Sequence, residues 1–119
     1  MAVAALGLVA LPRWFPRPRE PAYRWVRGWG GTGTDPGSFQ GPIGVAVVGE
    51  EVFVSDSGNH RIQRFTAEGE FLVAFGQPGA GPGELDRPTD AAVDADGEVY
   101  VVDFGNDRVQ VFAPGGAMP

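Results

Sequence analysis

The feature that most constrains this chain is a stretch of about two dozen residues that occurs twice. Pro42 to Phe65 reads PIGVAVVGEEVFVSDSGNHRIQRF, and Pro88 to Phe112 reads PTDAAVDADGEVYVVDFGNDRVQVF. The likeness extends upstream. With Trp25 laid on Phe71, the copies agree at Gly30/Gly76, Gly33/Gly79, Pro36/Pro82, Gly37/Gly83, Pro42/Pro88, Ala46/Ala92 and Val47/Val93. After one residue inserted in the second copy they agree again at Val54/Val101, Asp56/Asp103, Gly58/Gly105, Asn59/Asn106, Arg61/Arg108, Gln63/Gln110 and Phe65/Phe112. Coincidence does not produce that many identities in one register. A repeat of this length, made of short strand-like runs, implies stacked supersecondary units that share their core with their neighbours.

Each copy carries three such runs. In the first they are 44–48, 52–56 and 61–65, and in the second 91–94, 98–103 and 108–112; alternation of bulky and polar residues marks them as strands. Short turns join them, among them Ser57-Gly58-Asn59-His60 and Phe104-Gly105-Asn106-Asp107, in which Gly and Asn are expected to supply positive φ values. Tyr23 to Trp29 reads as a further strand, with Phe71 to Phe75 as its counterpart. Gly/Pro-rich connectors follow both, Gly30 to Pro42 and Gly76 to Pro88. They suit a crossing from the outer edge of one sheet to the inner edge of the next, with Phe39 and Leu85 tucked between sheets. Gly and Pro make up 30 of 119 residues, a share that signals disorder where it has no period; here it recurs at fixed offsets and marks turns.

At 119 residues the chain is one domain at most, burying about two thirds of its unfolded surface. It contains no Cys, which excludes disulfides, thiolate metal sites and a Cys nucleophile. Charge divides it. Residues 1–27 hold five Arg against Glu20, whereas residues 28–119 hold four Arg against fourteen acids, and there is no Lys. A segment of net charge −10 is a poor match for a phosphate backbone. Residues 1–22 form a separate segment: the apolar run Ala2 to Leu11, then Arg13, Trp14 and Phe15, then a Pro/Arg-rich stretch. Ten residues cannot span a bilayer as a helix. Residues 1–15 therefore read as the clipped end of a membrane anchor with an aromatic and basic interfacial flank, as a weak secretion signal, or as a disordered tail. The compartment expected is membrane-tethered or extracytoplasmic.

The pattern Pro-x-(Gly/Asp)-x-Ala-Val…(Phe/Tyr)-Val-x-Asp-x-Gly-Asn-x-Arg-(Ile/Val)-Gln-x-Phe resembles the NHL repeat across residues 25–116. That family builds β-propellers from four-stranded antiparallel blades. The resemblance implies an all-β fold, with residues 23–117 as about two blades of a partial propeller, of six-bladed type. In this family the strand opening each repeat is the outer strand of the preceding blade, so one blade would be whole and the other split between the two ends. The chain is then expected to be a fragment of a longer propeller, or to close a ring as a homotrimer by head-to-tail contacts.

Candidate site residues carry bland readings beside functional ones. Asp56 and Arg61, like Asp103 and Arg108, flank a tight turn and face each other across a hairpin, where opposite charges contribute about 0.2–1 kcal/mol. The Asp can also accept from amides of its own turn. Asn59 and Asn106 read as positive-φ turn residues. Asp90 replaces Gly44 at the start of an inner strand, where a carboxylate facing a central channel could contribute to a Ca²⁺ site. His60 is the lone histidine, too few for a catalytic zinc site, which wants about three protein ligands. The run from Pro88 to Asp103 is similar to part of the peptidyl-hydroxyglycine amidating lyases, zinc enzymes on this kind of propeller. Their zinc-binding His has no counterpart here, and Phe104-Gly105 stands where they have a Cys. Calcium-dependent lactonases likewise need a closed channel. RNA binding, which the family also implies, needs a basic face with stacking aromatics that the acidic repeats lack. The reading favoured is a non-catalytic scaffold for a protein partner or for further blades, a sensor or adaptor outside the cytoplasm.

Overall fold

The computed structural model describes residues 12–16 and 22–114; the expectations placed on residues 1–11, 17–21 and 115–117 lie outside the described residues. Seven strands are present among them: β1 (Pro42–Val48), β2 (Glu51–Asp56), β3 (Arg61–Thr66), β4 (Phe71–Phe75), β5 (Pro88–Val93), β6 (Val99–Asp103) and β7 (Arg108–Phe112). They form two antiparallel meanders, a four-stranded sheet β1-β2-β3-β4 and a three-stranded sheet β5-β6-β7. The repeated register is exact where the residues repeat: Asp56 pairs with Arg61 and Asp103 with Arg108, Val52 with Phe65 and Val99 with Phe112. These are two propeller blades packed face to face, the inner strand β5 lying against β1 and β2.

Side-chain alternation puts one face of each strand between the blades. Phe53 and Ile62 from the first sheet meet Ala91, Val99, Val101 and Phe112 from the second, with Ala46, Phe75 and Val93 at the margins. Leu85, carried by the connector, is completely buried in the same cluster, the position anticipated for a plug. Its counterpart Phe39 packs on Phe65 with ring centroids 5.7 Å apart. The inner strands approach so closely that a Cβ added to Gly44 would lie 2.5 Å from the Thr89 carbonyl oxygen. Only glycine fits there.

Tyr23 to Trp29 is not a strand, contrary to the expectation from its alternation. A strand needs a ladder partner, and by analogy with β3 and β4 its partner would be the third strand of a blade that precedes β1. The segment nonetheless occupies the corresponding place. Trp29 packs on Phe65 at 5.7 Å just as Phe75 packs on Phe112 at 4.9 Å, and the Arg27 guanidinium donates to the Ala67 carbonyl at 3.1 Å.

The turns also differ from expectation. Residues 57–59 and 104–106 form single 3₁₀ turns, and the left-handed residues are His60 (φ 55°) and Asp107 (φ 52°) at their ends. Asn59 and Asn106 are not positive-φ residues. Gly58 and Gly105 are not either; they are bare because a connector backbone lies on them, a Cβ meeting the Gln40 carbonyl oxygen at 2.6 Å and that of Asp86 at 2.7 Å.

Candidate functional site

The most organised polar constellation occurs twice, at the end of the sheets where connector and 3₁₀ turn meet. Asp56 is wholly buried. Its Oδ1 accepts from the Gln40 amide at 2.8 Å, and its Oδ2 accepts from Asn59 Nδ2 at 2.9 Å, Arg61 Nε at 2.8 Å and Gln63 Nε2 at 3.1 Å. Asp103 repeats the arrangement with the Asp86 amide, Asn106, Arg108 and Gln110 at 2.8, 3.0, 2.8 and 3.2 Å. The amide that each Asp captures belongs to the connector sixteen or seventeen residues earlier, not to its own turn, so the expected Asx device is replaced by a long-range clamp.

The donors around each carboxylate reach further. Arg61 donates from its terminal nitrogens to the carbonyls of Thr34, Asp35 and Ser38, and Arg108 to those of Ala80, Gly81 and Glu84. Asn59 also donates to the Gly33 carbonyl, and Asn106 to that of Gly79. Gln63 donates to the Ser38 carbonyl and accepts from the Gly37 amide; Gln110 does the same with Glu84 and Gly83. Each box thereby satisfies the backbone of a connector that has almost no regular secondary structure of its own, apart from a single parallel bridge, Thr32 with Phe39 or Pro78 with Leu85. Buried polar backbone has to be paired somewhere. The box is where.

For Asp103, burial alone would raise the carboxyl's pKa, but the Asp86 amide, the Asn106 amide and the Arg108 guanidinium together hold it below the ordinary carboxylate value. Enclosed ion pairs of this kind stand or fall as units, since removing one partner strands the other. Gln63 and Gln110 were not singled out among the candidate residues, although their spacing two residues after the Arg puts them on the same strand face and was the available signal.

The remaining candidates are not gathered into a site. Asp90 is exposed, and its Oδ1 accepts from the adjacent Ala91 amide at 2.9 Å. Among the described residues no three His, Cys, Asp or Glu side chains are grouped so as to hold a metal ion. His60 joins the two blades: its Nδ1 accepts from the Arg87 amide at 3.1 Å and lies 3.7 Å from Asp86 Oδ1. No described helix is long and apolar enough to cross a membrane.

Outside the boxes, both flanks of the blade pair are open. On the first sheet Ile43, Val45 and Val47 are each more than 60 % exposed. On the second, Tyr100, Val102 and Val109 stand uncovered at the positions of Phe53, Ser55 and Ile62, which in the first sheet are buried against the neighbouring blade.

A family model for the NHL repeat matches residues 39–65 and 85–112, each match taking in one connector end, three strands and one complete box. The chain is 36% identical over 86 residues to NHL repeat-containing protein 3 of Mus musculus, an alignment covering 69% of this chain and 25% of that protein. It is 41% identical over 66 residues to Protein brain tumor of Drosophila melanogaster, covering 55% of this chain and 6% of the relative. With E3 ubiquitin-protein ligase TRIM71 of Rattus norvegicus it shares 47% identity over 46 residues, 39% of this chain and 5% of the relative. The chain thus spans a quarter or less of the length of these relatives.

Proposed function

The chain belongs to the NHL repeat family, and from that premise we propose that it is a non-catalytic β-propeller module that works by binding protein through its open flanks. One observation carries the reading. The surface uncovered on β6 and β7 is the counterpart of the surface that β2 and β3 bury between the blades, so it is built to receive the kind of face that Ile43, Val45 and Val47 present on the other flank. Exposed apolar area of this sort marks an interaction surface, and among the described residues no strand pairs with the outer edge of β7. The occupant is either further blades of a longer propeller or another copy of the chain, including the homotrimeric ring.

The polar boxes support the non-catalytic half of the proposal. Their carboxylates are enclosed and engaged with the chain's own amides and guanidinium groups, which leaves no free carboxylate in either box. Light scattering of the full chain across a concentration series tests the reading. Concentration-dependent association that Val109→Lys abolishes is the expected result. A monodisperse monomer with a cooperative melt at every concentration overturns it. A tether at a membrane surface through residues 1–15, in keeping with an extracytoplasmic sensor or adaptor, belongs to the same proposal and rests on the apolar run and its Trp/Arg flank. Co-sedimentation with anionic vesicles checks that part; retention unchanged after deletion of residues 1–15 removes it.

A further inference from the structure

The two ends of the blade interface are closed differently. At the end bearing the polar boxes, Leu85 descends from the connector and fills the space between the sheets. At the opposite end none of the described connectors crosses, and a cleft of about 140 Å³ lies between the blades. Val73 and Phe75 wall it on one side, Val93 and Val99 on the other, with Pro114 at its edge. The Glu51–Arg64 pair also lines it, held by bonds of 2.9 and 2.6 Å. Its size is close to that of the ~150 Å³ apolar cavity known to take up benzene. One branched aliphatic side chain fits such a space.

The same end of the sheets carries the turns 49–51, 67–70 and 94–98, which hold Glu50, Glu68, Glu70, Asp94, Asp96 and Glu98. The first two turns are tied together by the Ala67 amide, which donates to the Glu50 carbonyl at 2.8 Å. Against these acids stand Arg64, already neutralised by Glu51, and Arg27, engaged with the Ala67 carbonyl. Asp94 is fixed as an anion: desolvation opposes ionisation, but the amides of Glu98 and Asp96 and the Tyr100 hydroxyl hold its carboxyl below the usual range. A slot walled mainly by apolar side chains, with one neutralised ion pair in its lining and a negative rim, selects a ligand that is aliphatic at one point and cationic around it.

We propose that this interblade cleft binds a basic peptide segment of a partner protein, one aliphatic side chain entering between Phe75 and Val93 while flanking Lys or Arg side chains lie on the acidic turns. The proposal rests on the protein-binding reading above and names the partner's chemistry, at a surface distinct from the open flanks. Fluorescence anisotropy on the full chain tests it with a fluorescein-labelled peptide in which two leucines lie between lysine pairs, alongside its serine and glutamate analogues. The leucine peptide is expected to bind about tenfold more tightly than the serine analogue, the equivalent of burying one aliphatic side chain, and to weaken in high salt. The glutamate analogue is expected not to bind.

Val73→Phe fills the cleft and should abolish the leucine advantage while leaving the serine peptide unchanged. Should that variant fail to fold, the double substitution Glu68→Gln and Glu70→Gln, on an exposed turn, should flatten the salt dependence. Equal affinity for the leucine and serine peptides overturns the proposal, as does binding of the glutamate analogue or an unaltered salt dependence in the double variant. Val109→Lys, on the far face of the second blade, separates the two readings: it should abolish self-association and leave peptide binding intact. Loss of peptide binding in that variant would move the peptide to the flank and refute the cleft.

Discussion

Asp103 illustrates how much one buried carboxylate can organise when both of its oxygens are engaged. Its folded-state pKa lies below the ordinary value because the connector amide, Asn106 and Arg108 outweigh the cost of burial. Stability from this source is complete above the unfolded carboxyl's value of about 3.9 and is lost as the pH falls through the folded one. Asp103→Asn should therefore lower the urea midpoint at pH 7 and also shrink the difference between pH 7 and pH 3; an unchanged difference would show that other carboxylates set the acid limit. Ser55 is the opposite case. It is completely buried between the blades, and its Oγ is the one enclosed side-chain oxygen without a partner among the described residues, whereas the second copy has Val102 at the same place. An unsatisfied buried hydroxyl costs about 1–3 kcal/mol, so Ser55→Ala should stabilise the protein by about 1 kcal/mol in urea titrations. The Asp, Asn and Arg of the box stood out in the sequence by repetition. Their partners in the connector did not, because those partners are backbone groups and carry no side-chain signature.

At the scale of elements, the connector behaves as a structural member held by the box and anchored by its plug. Leu85→Ala should cost about 2–5 kcal/mol, the usual range for a fully enclosed leucine. Phe39→Ala should cost less, since Phe39 is only half-buried, and equal losses in thermal melts would contradict the role assigned to Leu85. Gly44→Ala is a test of blade spacing: its Cβ would meet the Thr89 carbonyl and the Asp90 Cα at 2.5 and 2.9 Å, so the sheets must part and the melting temperature fall. The strands were legible because alternation reports directly on which face is buried. Tyr23 to Trp29 shows the limit of that signal. Its pattern is that of a strand, yet pairing is a property of two segments, and alternation in one cannot reveal whether the other is there.

For the whole molecule, the decisive property is that the described residues leave apolar side chains uncovered on both flanks of the blade pair. The faces bearing Val45 and Val109 are mates of surfaces that are buried between the two blades, and a stack whose ends match is prone to grow. Adding Val45→Lys to Val109→Lys should leave a monomer whose melt no longer depends on concentration; persistent association of the double variant would place the sticky surface elsewhere.

The repeat by itself determined the blade: its strands, its register and the residues common to both copies, all of which follow from local alternation and from turns encoded within a few residues. Only the tertiary structure decided what those common residues do. Whether an asparagine holds a left-handed turn or a distant carbonyl, whether an outer strand finds its ladder, and whether the space between two sheets is plugged or left as a cleft all depend on contacts between segments far apart in the chain, where linear order carries no record of distance.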